Sequence, residues 1–378
     1  MNTVDNIYLA AICALPGLGR AKLPELVQVL GSAKAVYEAD AQQLNATMLV
    51  RPESVAVFLS KRRRDLPKRI DYFCQQHGVR LLSYRDEDYP CSLLRIADPP
   101  LLLYVKGTLP RTGYCLAVVG SRACTEYGRK AAKFFTKDLA ARGIPIISGG
   151  ARGIDTVAHE TALQAGGKTV AVLGCGLDIV YPEENAALFE RIVRSGGAVI
   201  SEYAPGTRPL SQNFPARNRI IVGLSQGVLV AEARLKSGAI ITANIAADEG
   251  RDVYCVPGNI FDRSSMGCHE LIRTGAKLVD IPQHILEDKL SWEMARKERL
   301  AQPSIFDALP EMQVENTPTI PISELGQDLM KLLQAGSCSL EELVEASGAD
   351  FASVSMELLE LQAAGLIAQN QLLRYYRR

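Results

Sequence analysis

Residues 115–135 read CLAVVGSRACTEYGRKAAKFF. The run Leu116–Val119 is continuously apolar, which suits a strand covered on both faces. The residues that follow predict a helix under way by Glu126, carrying Arg129, Lys130 and Lys133. Strand, sharp turn and helix together form the unit of a doubly wound α/β sheet. Such sheets bind ligands where the turns leave the carboxyl ends of the strands. A nucleotide-binding turn would hold a run of glycines; this one holds Gly120-Ser121-Arg122. A helix start offers unpaired N–H groups and about half a positive charge. Glycine lets an anion approach, serine adds a hydroxyl, and arginine adds a planar fork that takes phosphate bidentately. The plainer alternative is an arginine that closes an ion pair on a loop.

The same unit recurs on both sides. Between residues 79 and 281, short apolar runs (VRLLSY, LLLYVKG, IPIISGG, TVAVLGCG, GAVISE, GVLVAEA, DVYCVPG) alternate with helix-length segments. The pattern predicts a doubly wound, mainly parallel, Rossmann-like sheet. A second turn, ISGGARGIDTVAH, places Gly149, Gly150 and Gly153 before a helix. There Asp155 reads as an N-cap with His159 one turn on, or as a catalytic Asp/His pair. A third, AEARLKSGAIITA, repeats the logic of the first with Lys236-Ser237-Gly238 opening a helix that contains Thr242. In NFPARNRII, Arg217 and Arg219 flank Asn218 at another helix start. If adjacent strands bring these turns together, four cations and two or three helix N-termini face one crevice. Asp155, Asp178, Glu202 and Glu232, all near strand ends, read as candidate acid/base groups, and Glu202 and Glu232 read alternatively as partners of these cations.

Other chemistries fit poorly. Gly167-Lys168-Thr169 precedes a strand where a P-loop must follow one, and Ala162 stands at the first P-loop glycine. Gly174 and Gly176 have Ile179 in the third place of a dinucleotide fingerprint. His77, His159, His269 and His284 lack metal-ligand spacing, and the nine cysteines are scattered with no Cys-x-x-Cys, so neither a metal site nor a disulfide framework is expected. The start has no signal-peptide pattern, and no apolar run approaches the roughly 20 residues of a membrane helix, which predicts a cytoplasmic protein with no membrane contact.

The flanks differ in character. Residues 1–75 have helical apolar spacing, with Leu15-Pro16-Gly17-Leu18-Gly19 as a hairpin that either meets a phosphate or simply turns an αα corner. Residues 76–282 hold the sheet. Residues 283–320 are a polar linker, helical as far as Lys297, with Pro303, Pro310 and Pro318; residues 321–378, opened by Pro321, have the outline of a winged helix. The 42 basic and 42 acidic residues balance overall but are segregated. KRRRDLPKR (61–69) has six bases to one acid, and 111–155 has eight to three; 323–373 has eight acids and only Lys331 basic. The candidate recognition helix, DFASVSMELLELQAAG, carries Asp350, Glu357 and Glu360 and no base. Phosphate would repel it, so the domain is expected to contact protein, with Arg374, Arg377 and Arg378 as the cationic exception.

The motifs VVGSR, ISGGARGID..AH, GKTVAVLGCGLDIVYPEEN, SEYAPG, FPARNRII, EA..KSGAIITA and VPGNI...S.GCHELI..GA resemble the DNA-processing protein A (DprA, or Smf) family over about residues 80–280. The resemblance implies a protein of bacterial transformation that binds single-stranded DNA and loads the RecA recombinase on it. It implies no enzyme activity and no nucleotide cofactor, and a homodimer formed through the Rossmann-like domain. It places the DNA backbone at Arg122 and Lys236, which makes Gly120, Ser121, Arg122, Gly149, Gly150, Arg217, Asn218, Arg219, Lys236, Ser237, Gly238 and Thr242 the candidate phosphate-binding set. Ala239 stands at the helix start, so no aromatic there stacks on a base, and stacking either comes from Tyr127, Phe214 or Phe261 or is largely absent. Two readings compete: a nucleotide- or ribose-phosphate-processing enzyme like the phosphoribohydrolases of the lysine-decarboxylase-like group, whose Pro-Gly-Gly-x-Gly-Thr and glutamate are lacking here, and a RecA-binding scaffold that works through its acidic surface.

Overall fold

Strand Leu116–Gly120 (β3) shows why the central sheet forms. Leu116 and Val118 point into one core with the helix Glu126–Ala141 (α7), while Ala117 and Val119 point into another. Both faces are covered, so the strand is apolar throughout rather than alternating. In the computed structural model the described residues are 3–110, 113–301, 323–333, 338–363, 366–369 and 375–377. The chain divides into two compact units, residues 1–301 and 302–378.

In the first unit, six helices come first: α1 (Val4–Cys13), α2 (Leu23–Leu30), α3 (Ala33–Glu38), α4 (Ala41–Ala46), α5 (Pro52–Lys61) and α6 (Leu66–His77). Their apolar faces close on one another and on Leu81, Leu101, Leu102 and Tyr104 of β1 (Val79–Ser83) and β2 (Leu102–Gly107) with the segment leading into it, so helices and sheet edge share a core. Beyond β3 and α7 the order is β4 (Ile146–Ser148), α8 (Ile154–Gln164), β5 (Thr169–Leu173), α9 (Ala186–Arg194), β6 (Ala198–Ser201), α10 (Asn213–Gly223), β7 (Gly227–Glu232), α11 (Gly238–Asp248), β8 (Asp252–Cys255), α12 (Met266–Arg273), β9 (Lys277–Leu278) and α13 (Gln283–Ala301). Among the described residues these strands form one nine-stranded sheet in the order β1-β2-β6-β5-β4-β3-β7-β8-β9. It is parallel from β6 to β9, and β1 and β2 are antiparallel additions.

This order puts the reversal of winding between β3 and β7. From β3 the chain runs through β4 and β5 to β6; it then returns to lay β7 against β3 and proceeds the other way to β8 and β9. Helices α7 and α8 cover one face of the sheet and α10, α11 and α12 the other. Turns leaving β3 and β7 therefore part in opposite directions and leave a crevice between them, the place where open α/β sheets take ligands.

The second unit contains α14 (Glu324–Leu332), α15 (Leu340–Ser347), α16 (Phe351–Ala363) and an antiparallel pair, β10 (Ile367–Gln369) with β11 (Tyr375–Arg377). Ser339 and Glu342 form a capping box that starts α15, and Leu329, Leu343, Val354, Leu358 and Ile367 fill the small core. Its α16 exposes Phe351, Met356 and Leu359 beside acidic residues and no base. Pro303, Pro310, Pro318, Pro321, Arg374 and Arg378 lie outside the described residues, as does the side chain of Arg377.

Candidate nucleic-acid interface

Between the ends of β3 and β7 lies a cleft of about 600 Å³. Its wall includes Gly120, Ser121 and Arg122 from the first turn, Lys236, Ser237, Gly238 and Thr242 from the third, and Arg217 and Asn218 from α10. The sequence had placed these on three separate segments. The parallel pairing of β3 with β7 joins them, and the register shifts between Val119 and Gly120, at the end of β3. The Ser121 N–H then donates to the Glu232 carbonyl at 2.9 Å, which locks the first turn to the strand below the third.

The rim and the floor of this cleft are built differently. At the rim, Arg122, Arg234 and Lys236 are exposed and have no ion-pair partner among the described residues. Helix α11 starts at the same edge, and its first-turn N–H groups add positive potential. Phe214 stands inside, with the Arg122 guanidinium 5.0 Å from its ring centre and Tyr181 at 5.5 Å. On the floor, Arg217 is 3% exposed and gives Nη1 to the Val172 carbonyl. Burial pulls its pKa down to about 10, against the opposing pull of the Asp155 carboxylate. Burial also raises the Asp155 carboxyl, although Arg217 and the Gly149 and Ala151 N–H groups work the other way. A Cβ at Gly149 would fall 2.2 Å from Arg217 Nη1 and 2.6 Å from Asp155 Oδ2, so only glycine leaves room for both groups. Among the described residues, two buried atoms of residues that line the cleft, Arg217 Nε and Ser237 Oγ, have no hydrogen-bond partner. An unpaired buried donor typically costs about 1–3 kcal/mol.

Several expectations need correction. The four cations do not all face the crevice: Arg122 and Lys236 stand at its rim, and Arg217 is sunk into its floor. Arg219 is tied up elsewhere, bonding Glu202 at 2.8 Å and Asp98 at 2.7 Å, while Arg20 from the helical segment reaches the same Glu202 at 2.9 Å. Gly149 and Gly150 shape the floor without lining the cleft. Asp155 does not cap α8 forward; it reaches back to the Gly149 and Ala151 amides because Gly153 occupies the cap position. His159 is fully buried, bonds Thr169 Oγ1 at 2.7 Å, and is held down to about pKa 3 by burial, so it forms no pair with Asp155. Glu232 takes the Thr125 N–H and hydroxyl at the start of α7 rather than a cation. Asp178 receives the Gly206 amide. Each acid named near a strand end is thus engaged in holding a turn or an ion pair.

Gly17 of the N-terminal hairpin has φ +110° and packs closely against the Ser54 carbonyl and Phe58, which only glycine allows. Among the bases of 61–69, Arg62 bonds the Tyr37 and Ala39 carbonyls and Arg63 and Arg69 meet Asp65. The reading of the sequence missed Arg234, Tyr181 and Ser211. Arg234 could have been found, since it lies two residues before Lys236 in the same turn; Tyr181 and Ser211 arrive from loops whose course no local pattern gives.

Residues 80–289 match the family model for DNA recombination-mediator protein A, and residues 313–371 match the DprA winged helix domain. The protein Smf of Escherichia coli is 40% identical over 314 residues, covering 82% of this chain and 80% of its own. Protein Smf of Synechocystis is 32% identical across the full length of both. The crystal structure of DprA from Streptococcus pneumoniae superposes with a TM-score of 0.62 at 39% identity, covering 76% of this chain and 98% of that one. The structure of DprA from Helicobacter pylori, described for its single-stranded DNA binding mode, gives 0.51 at 29% identity, covering 56% and 96%.

Proposed function

This chain belongs to the DprA/Smf family of DNA recombination mediators, and from that premise we propose that it holds single-stranded DNA by its phosphates in the β3–β7 cleft and passes the coated strand to the RecA recombinase, acting as a homodimer through the Rossmann-like domain. One observation carries the reading. Three exposed cations without ion-pair partners among the described residues, Arg122, Arg234 and Lys236, ring a cleft at the winding reversal, where a helix N-terminus also opens. An open rim of this kind suits a ligand that enters and leaves along its length, which a backbone of repeating phosphates does.

Contacts of this type are electrostatic and blind to sequence, so affinity falls steeply with salt. Phe214 and Tyr181 are the aromatics that line the cleft, and because Arg122 covers the Phe214 ring a base would reach that face only by displacing the guanidinium. The test is fluorescence anisotropy with an oligonucleotide of about 20–30 bases at two or more salt concentrations. Binding tighter than to duplex and lost when Arg122 and Lys236 are replaced supports the reading; wild-type affinity in both variants defeats it. Release of free base from a nucleoside monophosphate would favour the enzyme alternative instead. The recombinase step is read separately, from RecA strand exchange in the presence of a single-strand-binding protein, with and without this chain.

A further inference from the structure

We propose that the exposed face of α7 is a second nucleic-acid contact, a cationic rail along which the strand continues once it leaves the cleft; this rests on the function proposed above. Helix α7 begins four residues after Arg122, so its first turn is continuous with the cleft rim. Its buried side, with Ala132, Phe135, Leu139 and Ala140, is given to the core. The adjoining exposed side carries Arg129, Lys130, Lys133 and Lys137, with Glu126 as the acid of its first turn, all exposed and none in an ion pair among the described residues. Asp138, the acid beside Lys137, is taken by Arg142 at 2.9 Å. At 100° per residue these four cations fall within one arc of about 100° and extend about 12 Å along the axis.

That arrangement works against the helix itself. Arg129, Lys133 and Lys137 succeed one another at i, i+4 spacing, where like charges repel, whereas a face built for stability or solubility alternates signs. Beside them stand Tyr127 and Phe134, 50% and 53% exposed and seven residues apart on the same side. Phe134 adds nothing to the core and touches Phe135 only edge-on, with ring centres 5.5 Å apart. Tyr127 is fixed by donating its hydroxyl to the Pro257 carbonyl. Cations in a line with aromatic rings alongside are what a single strand needs, a track for its phosphates and faces for its bases. Continuity with the cleft favours nucleic acid over an anionic membrane, which would draw on the same residues.

Anisotropy of the full chain with a short oligonucleotide that only fills the cleft, and with one several times longer, separates the two contacts. The variant Lys130→Gln/Lys133→Gln/Lys137→Gln is expected to bind the short strand as wild type does. For the long strand it should lose about tenfold, with a salt slope shallower by about two, as expected when three phosphate contacts to a single strand are removed. Phe134→Ala should weaken the long strand about fivefold with the slope unchanged, since stacking releases no counterions. Wild-type affinity and slope for the long strand in both variants would overturn the rail, as would phosphatidylserine-vesicle binding that the triple variant abolishes while DNA binding stays intact. Failure of the underlying reading looks different: the wild-type chain would bind neither length.

Discussion

Arg122 and Arg217 flank the same ring, their guanidinium carbons 5.0 and 6.0 Å from the centre of Phe214, yet rim and floor use the same side chain for opposite ends. Arg122 stays exposed over the ring and is open to a phosphate. Arg217 has given up water for Val172 and the neighbourhood of Asp155, and it fixes the geometry that the rim depends on. Charge in a sequence therefore does not by itself mark a contact. A cation is available to a ligand only where the fold leaves it without an internal partner.

The largest effect should come from trying to make the floor behave like the rim. Arg217→Ala leaves Asp155 buried without its counter-charge, and breaking such an arrangement costs about 3–5 kcal/mol. Urea denaturation should show that loss, and a variant with unchanged midpoint would mean the floor is not structural. Next, Arg122→Ala and Lys236→Ala should each lower affinity for single-stranded DNA by about 1.5–3 kcal/mol, as for hydrogen bonds to charged groups, while stability moves by no more than about 0.5 kcal/mol. A large stability change would erase the distinction between rim and floor. Arg219→Ala tests the cation that points elsewhere: stability should drop by about 1.5 kcal/mol through Glu202 and Asp98. Its affinity for the oligonucleotide should stay that of the wild type, and weakened binding would put Arg219 back in the site.

The last test is a pH dependence, small per pH unit near neutrality, of the buried histidine of α8. Burial depresses the folded-state pKa of His159 to about 3, below the 6.5 from which it is shifted. Between those values the unfolded chain binds the proton and the folded chain does not, so stability is present above 6.5 and is lost as pH falls toward 3. The slope for one group is at most about 1.4 kcal/mol per pH unit. His159→Gln should flatten that part of the stability–pH curve, and an unaltered curve would show that His159 is not the group titrating.

Much of this was legible in the chain. Continuous apolar runs such as Leu116–Val119 announced strands covered on both faces, and Gly120-Ser121-Arg122 and Lys236-Ser237-Gly238 announced cationic turns at strand ends, because these depend on neighbours in sequence. The partners of Arg219 and Glu232 were not legible. Arg219 meets Asp98 across 121 residues, and Glu232 meets Thr125 across 107. Asp155 was misread because the cap of α8 depends on the backbone of Gly153, not on side-chain preference.

What the sequence settled alone was the kind of sheet, the acidic character of the second unit and the chemistry available at each turn. Only the tertiary structure decided which cations remain free, since strand order brings β7 back beside β3 and sets Arg122 and Lys236 about one cleft while it sends Arg219 to Glu202. Local propensity follows from neighbouring residues. Competition for a charge is decided by every group the folded chain brings within reach of it.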